Sequence, residues 1–160
     1  MPAFKVKKIE WTKLPAETDR ADEQYDLAVI WKNATSEPVS VARIGIGSII
    51  AGTPPPYPIY RFFERPNIAA DVEAGGRYVF KGANLTLVVT SEQRTEIELG
   101  VVVPWLWGEI RYLTRKGHAV ECGFAAYKQR DLRVGSRTLL SGAWKLRGPA
   151  AYVYTRVKPR

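Results

Sequence analysis

The chain has 160 residues, 46% of them apolar and 25% charged, a balance that excludes a disordered chain and suits one folded domain, 1–160, with a substantial core. A single cysteine excludes an internal disulfide, and a single histidine leaves metal and triad chemistry short of ligands. The net charge of +8 is uneven: residues 1–110 hold 12 Lys/Arg against 14 Asp/Glu, a net of −2, while residues 111–160 hold 12 against 2, a net of +10. Such asymmetry favours an acidic partner (nucleic acid, an anionic membrane surface or an acidic protein patch), beside the plain alternative of a solubilising surface.

The amino terminus, "MPAFKVKKIEW", has lysines but no apolar run behind them, so no secretory signal is expected. No stretch approaches the roughly 18 consecutive apolar residues of a membrane span. A soluble chain is expected, cytoplasmic or virion-associated if nothing is missing from it. In "FKVKKIEW", Phe4 and Val6 alternate, and Lys7-Lys8 then breaks the phase before Ile9 and Trp11, which predicts a β-bulge. "AETDRADEQ" (16–24) is polar and leads into the next strand. "QYDLAVIWKN" places Tyr25, Leu27, Val29 and Trp31 on one face. The sequons at Asn33 and Asn84 are expected to be chance matches, since no export signal accompanies them.

"RIGIGS" (43–48) lies inside an alternating apolar run, where glycine marks a bulge or close packing rather than a nucleotide site. "AGTPPPYP" (51–58) lacks ladder donors and reads as a rigid connection between sheets, with a ligand-contacting loop as the alternative. "EAGG" (73–76), "KGAN" (81–84) and "LRGP" (146–149) read as turns or loops. "NLTLVVT" groups Leu85, Leu87 and Val89; "TEIELGVVV" groups Ile97, Leu99, Val101 and Val103; both are expected to be strands. "AYVYTRVK" alternates near the end and puts Tyr152, Tyr154 and Arg156 on one strand face. Eight or nine strands with turns between them predict an all-β, antiparallel sandwich.

The stretch 105–127 decides its own register. With a two-residue loop, Val120, Cys122 and Phe124 would face Leu113, Arg111 and Glu109, setting two charges on the core side. With the three-residue loop Arg115-Lys116-Gly117 they face Tyr112, Ile110 and Gly108, and a one-residue slip separates the two solutions. The second is therefore predicted, with Gly117 in the left-handed position. It pairs Arg111 with Glu121 and lets Phe124 cover Gly108. It also turns Trp105, Trp107 and Tyr127 to the outer face. His118 and Cys122 lie four residues apart on a strand, roughly 13 Å, too far to share a metal. Cys122 is expected in the core.

Catalysis has little support in the residues. Glu96, Glu98 and Glu109 are expected on strands, and a carboxylate-dependent hydrolase stays an alternative. No cofactor and no metal are expected. Aromatic and basic residues interleave in "WKLRGPAAYVYTRVKPR", so nucleic-acid binding by the carboxyl-terminal third is the other alternative. "YDLAVIWKNATSEPVSVARIGI" and "WGEIRYLTRKGHAVECGF" together resemble immunoglobulin-like domains of uncharacterised bacterial proteins, often membrane-anchored. They cover about a quarter of the chain. The resemblance implies an immunoglobulin-like sandwich and no known activity. The expected function is thus a non-catalytic binding or structural module acting on a protein partner or another copy of itself. A subunit of a phage particle or secretion apparatus is one setting. The expected contact residues are Trp105, Trp107, Arg111, Tyr127, Tyr152, Tyr154 and Arg156.

Overall fold

A computed structural model describes residues 4–14, 22–60, 62–64, 70–81, 85–128 and 144–158. In chain order the elements are β1 (Phe4–Lys13), β2 (Glu23–Asn33), β3 (Val39–Ala51), β4 (Phe62–Glu64), β5 (Ala70–Val72), β6 (Arg77–Phe80), β7 (Thr86–Val89), α1 (Ser91–Glu98), β8 (Val103–Leu113), β9 (Ala119–Lys128), β10 (Trp144–Leu146) and β11 (Tyr154–Lys158). All pairings are antiparallel. One sheet holds β1, β2, β6 and β7; the other holds β10, β11, β9, β8, β3, β4 and β5. They share one core, with Phe4 against Tyr112 and Trp31 edge-on to Phe124, each pair 5.0 Å between ring centres. The architecture is a two-layer antiparallel sandwich. The described residues hold eleven strands rather than eight or nine, because short strands share an edge: β6 and β7 along β2, β4 and β5 along β3, β10 and β11 along β9. No described helix is long and apolar enough to cross a membrane.

The period-two pattern places the core as expected over most of the chain. Tyr25, Leu27, Val29 and Trp31 are buried on β2, and Leu85, Leu87 and Val89 are buried at β7. The register of β1 against β2 jumps between Val6 and Lys8, so the phase break is a bulge. A second jump, between Val41 and Arg43, brings Arg43 opposite Arg111. Asn33 closes the end of β2. Its side-chain amide donates to the carbonyls of Glu37 (2.9 Å), Val72 (3.0 Å) and Glu73 (3.1 Å), and its oxygen accepts from the Thr35 amide (3.0 Å) and hydroxyl (2.6 Å). This fully enclosed side chain ties the 34–38 turn to the 73–76 turn, and it is sealed from any glycan. Asn84, and most of the polar run from Ala16, lie outside the described residues.

The strand expected over 95–103 does not form: its first half belongs to α1 (Ser91–Glu98), residues 99–102 turn, and only Val103 is in a strand, the start of β8. Thr90 accepts from the Gln93 amide (3.1 Å) while the Gln93 side chain accepts from the Thr90 amide (3.0 Å), a reciprocal capping box. At the other end Gly100 sits at φ 75°, with Gly100 N–H donating to Ile97 O and Val101 N–H to Glu96 O. That is a Schellman closure. With both ends satisfied, eight residues hold helical form. Ile97 is buried, whereas Leu99 and Val101 are exposed. The alternation of Ile97, Leu99 and Val101 is incidental to the fold, and the "T-S-E-Q" signal outweighs it.

The hairpin adopts the three-residue loop. Tyr112 pairs with Val120, Ile110 with Cys122, Gly108 with Phe124 and Arg111 with Glu121, and Gly117 has φ 76°. A Cβ on Gly108 would stand 2.6 Å from the Phe124 ring and 2.7 Å from Ile46, so the ring does cover the glycine. The inward phase continues to Lys128. This lysine is 3% exposed, with its Nζ 4.2 Å from the Trp11 ring centre and 5.8 Å from that of Trp144. Burial pulls its pKa down to about 8.

Candidate interaction surface

The outer face of β8 and β9 was expected to display Trp105, Trp107 and Tyr127. Trp107 is instead 3% exposed, and Tyr152, expected on a strand face, is 1% exposed in the turn before β11. Both belong to a second cluster with Ala125, flanked by Ile49, Tyr60, Trp105 and Ala151. Two loops cover this face. The proline-rich loop, 52–60, leaves β3 and returns to β4 in the same sheet. It is therefore a strap across one sheet rather than a connection between two. The other loop, 147–153, joins β10 to β11.

Small residues let the loops sit this close. A Cβ on Gly47 would collide with Ile59 O and the Trp107 ring; one on Gly148 would collide with Ala125; one on Gly123 would stand 2.5 Å from Tyr152 O. The strap is pinned at two points. Trp107 Nε1–H donates to Ile59 O (3.1 Å), and the Tyr152 hydroxyl donates to Pro55 O. Each buried aromatic thus satisfies its polar tip on the strap's backbone. Of the strap's large side chains, Tyr60 packs inward on this cluster, while Tyr57 and Ile59 point outward, 75% and 63% exposed.

The remaining expected contact residues fall on either side of the Trp107–Ala125 pair: Trp105 and Tyr127 toward one end of the hairpin, Arg111, Tyr154 and Arg156 toward the other. Trp105 and Tyr127 are half-buried, their rings 5.3 Å apart. Arg111 pairs with Glu121, which also takes Lys158 at 2.9 Å. These cations hold the Glu121 carboxyl below its ordinary value although burial pulls it upward. Tyr154 donates to Glu109 and contacts the Tyr60 hydroxyl at 3.3 Å. Burial and the Glu109 bond push the Tyr154 phenol up, and burial raises that of Tyr60 to about 12. Arg156 is exposed and lies over the Tyr154 ring, 4.3 Å from its centre. Of the aromatics in the interleaved run read as a nucleic-acid alternative, Tyr152 is enclosed and Tyr154 carries Arg156 on its ring.

The carboxylates are engaged or dispersed. Glu96 and Glu98 lie on α1 rather than on a strand, Glu98 in an ion pair with Arg94 (3.7 Å). Glu109 is occupied by Tyr154. Cys122 lies in the core with its thiol pKa raised by burial, while exposed His118 donates its backbone N–H to Thr114 Oγ1 (3.1 Å). Sequence reasoning missed Tyr57 and Ile59 as display residues. No local signal marks them: an indole or phenol expected at the surface is satisfied by water, and the bonds that fix the strap join residues 48 and 97 positions apart. It also missed Lys128, which one further step of the Val120–Cys122–Phe124–Ala126 phase would have placed inside. Compared with known proteins, the chain matches no family, no curated sequence and no solved structure.

Proposed function

We propose that the chain is a non-catalytic, immunoglobulin-like sandwich module that binds a protein partner through the proline strap. The observation that carries this is the rigid display of Tyr57 and Ile59. Four prolines restrict the strap, two buried aromatics hold its backbone, and Tyr57 and Ile59 still face solvent. A loop already fixed in place loses little entropy on binding. Aromatic anchors of this kind dominate interface energetics. Trp105, Tyr127 and Arg156 flank the strap as a polar rim.

The test compares wild type with a Tyr57→Ser/Ile59→Ser double variant of matched thermal stability. Light scattering reads self-association, and pull-down from the native source reads a partner. Dimerisation or capture that the double variant abolishes supports the proposal. Association of equal strength in both proteins, or a wild type that stays monomeric and captures nothing, overturns it.

A further inference from the structure

Two depressions meet at the amino-terminal half of β1. The first, about 520 Å³, opens between the sheets; its apolar walls include Phe4, Val6, Trp31, Phe124, Leu146 and Val153. It exists because the outer edge of β9 is covered by β10 along 126–128 and by β11 along 119–123, but by neither strand at Phe124 and Ala125. Leu146 and Val153 stand exposed at its mouth. Among the described residues Lys5 is its one charged lining residue. The size falls in the range of small-molecule sites, roughly 300–1,000 Å³.

The second depression, about 490 Å³, shares Lys5 and Val6 with the first and adds Lys7, Lys32 and the Asn33 turn. No acid lines it. Lys5 and Lys32 are direct cross-strand partners, and Lys7 is the extra residue of the bulge. Like charges opposite one another weaken a ladder. Lys8, Lys13 and Lys158 each have a carboxylate partner; Lys5, Lys7 and Lys32 have none among the described residues. An apolar cleft therefore adjoins an uncompensated cationic shelf across the width of one strand.

A peptide fits this place poorly. The uncovered part of β9 is two residues long, and the Arg147 N–H already takes the Ala125 carbonyl (3.1 Å). The bulge likewise spoils the edge of β1 for strand addition. A ligand with no ladder to complete is the better match. We propose that the site takes a single-chain anionic amphiphile of the fatty-acid or alkyl-phosphate kind. Its tail lies in the cleft between Phe4, Val6, Phe124 and Val153, and its head group lies on Lys5, Lys7 and Lys32.

Calorimetric titration below the micelle threshold tests this with decanoate, decyl phosphate, decanol and inorganic phosphate. Both anionic amphiphiles should bind, decanol at least ten times more weakly and inorganic phosphate not measurably; the tighter head group identifies carboxylate or phosphate as the natural one. Lys5→Gln/Lys32→Gln should weaken the anionic ligands about tenfold and leave decanol unchanged. Val153→Trp, a change at an exposed position, should close the mouth and abolish all binding while circular dichroism stays that of wild type. Equal affinity for decanol and decanoate, no heat with any amphiphile, or unchanged binding in both variants would overturn the proposal. So would anionic vesicles binding the protein when monomeric amphiphiles do not, which would make the shelf a membrane-surface contact.

Discussion

The β8–β9 hairpin has two faces built from one register, and they were unequally readable. The inner face, with Tyr112, Ile110, Gly108, Val120, Cys122 and Phe124, packs on the opposite sheet. The outer face, with Trp107 and Ala125, packs on two irregular loops. Alternation along a strand tells which side chains share a face; it does not tell whether that face is covered. A sheet covers its partner periodically, so the inner face leaves a pattern in both strands. A loop covers a sheet through a few close approaches, and leaves only scattered small residues such as Gly47, Gly123, Ala125 and Gly148.

If the outer face is a true second core, its residues should cost nearly as much to remove as those of the first. Phe124→Ala, on the inner face, should lose about 3–5 kcal/mol in urea unfolding, because the cavity lies between Trp31 and Gly108. Trp107→Ala should lose about 2–4 kcal/mol and speed amide exchange across 52–60. A loss below about 0.5 kcal/mol, the usual cost at an exposed position, would return Trp107 to the surface.

Lys128 separates the faces by charge. Its folded pKa of about 8 lies below its ordinary value of 10.5, so between those values the unfolded chain binds more protons. Stability should therefore rise as pH climbs from about 8 to 10.5, by at most about 3 kcal/mol. Below pH 8 both states carry the proton and the burial cost is felt in full. Lys128→Met should accordingly stabilise the protein by about 1–3 kcal/mol at pH 7 and flatten that rise, since the ring contact with Trp11 recovers only part of the desolvation. A destabilised Lys128→Met protein would show that the rings more than repay it. Tyr152→Phe gives the smallest effect, about 1 kcal/mol, through the single bond to Pro55. Its signature is looser exchange in the strap with the inner core untouched.

Much of the sandwich was legible because core strands obey a local rule. Four alternating residues on β2, the phase break at Lys7-Lys8 and the charge test on the hairpin loop each fix a position from neighbours in sequence. The helix at 91–98 was missed because Ile97, Leu99 and Val101 satisfied that same rule by accident, while the deciding evidence lay at the ends, in Thr90, Gln93 and Gly100. The strap was missed for a different reason. Its anchors, Trp107 with Ile59 and Tyr152 with Pro55, are 48 and 97 residues apart, and nothing local announces such a bond. The cationic shelf joins the two cases: its bulge was read, but the pairing of Lys5 with Lys32 belongs to the fold.

The bulge in β1 also bears on how molecules of this protein meet one another. A regular edge strand is a template on which a second chain can zip its backbone, the first step toward fibrils. Here the template is interrupted between Val6 and Lys8, and Lys5, Lys7 and Lys8 crowd the same margin. Two such margins brought together would mismatch in spacing and repel in charge. Along β1 this sandwich is thus guarded against growing by its own sheet.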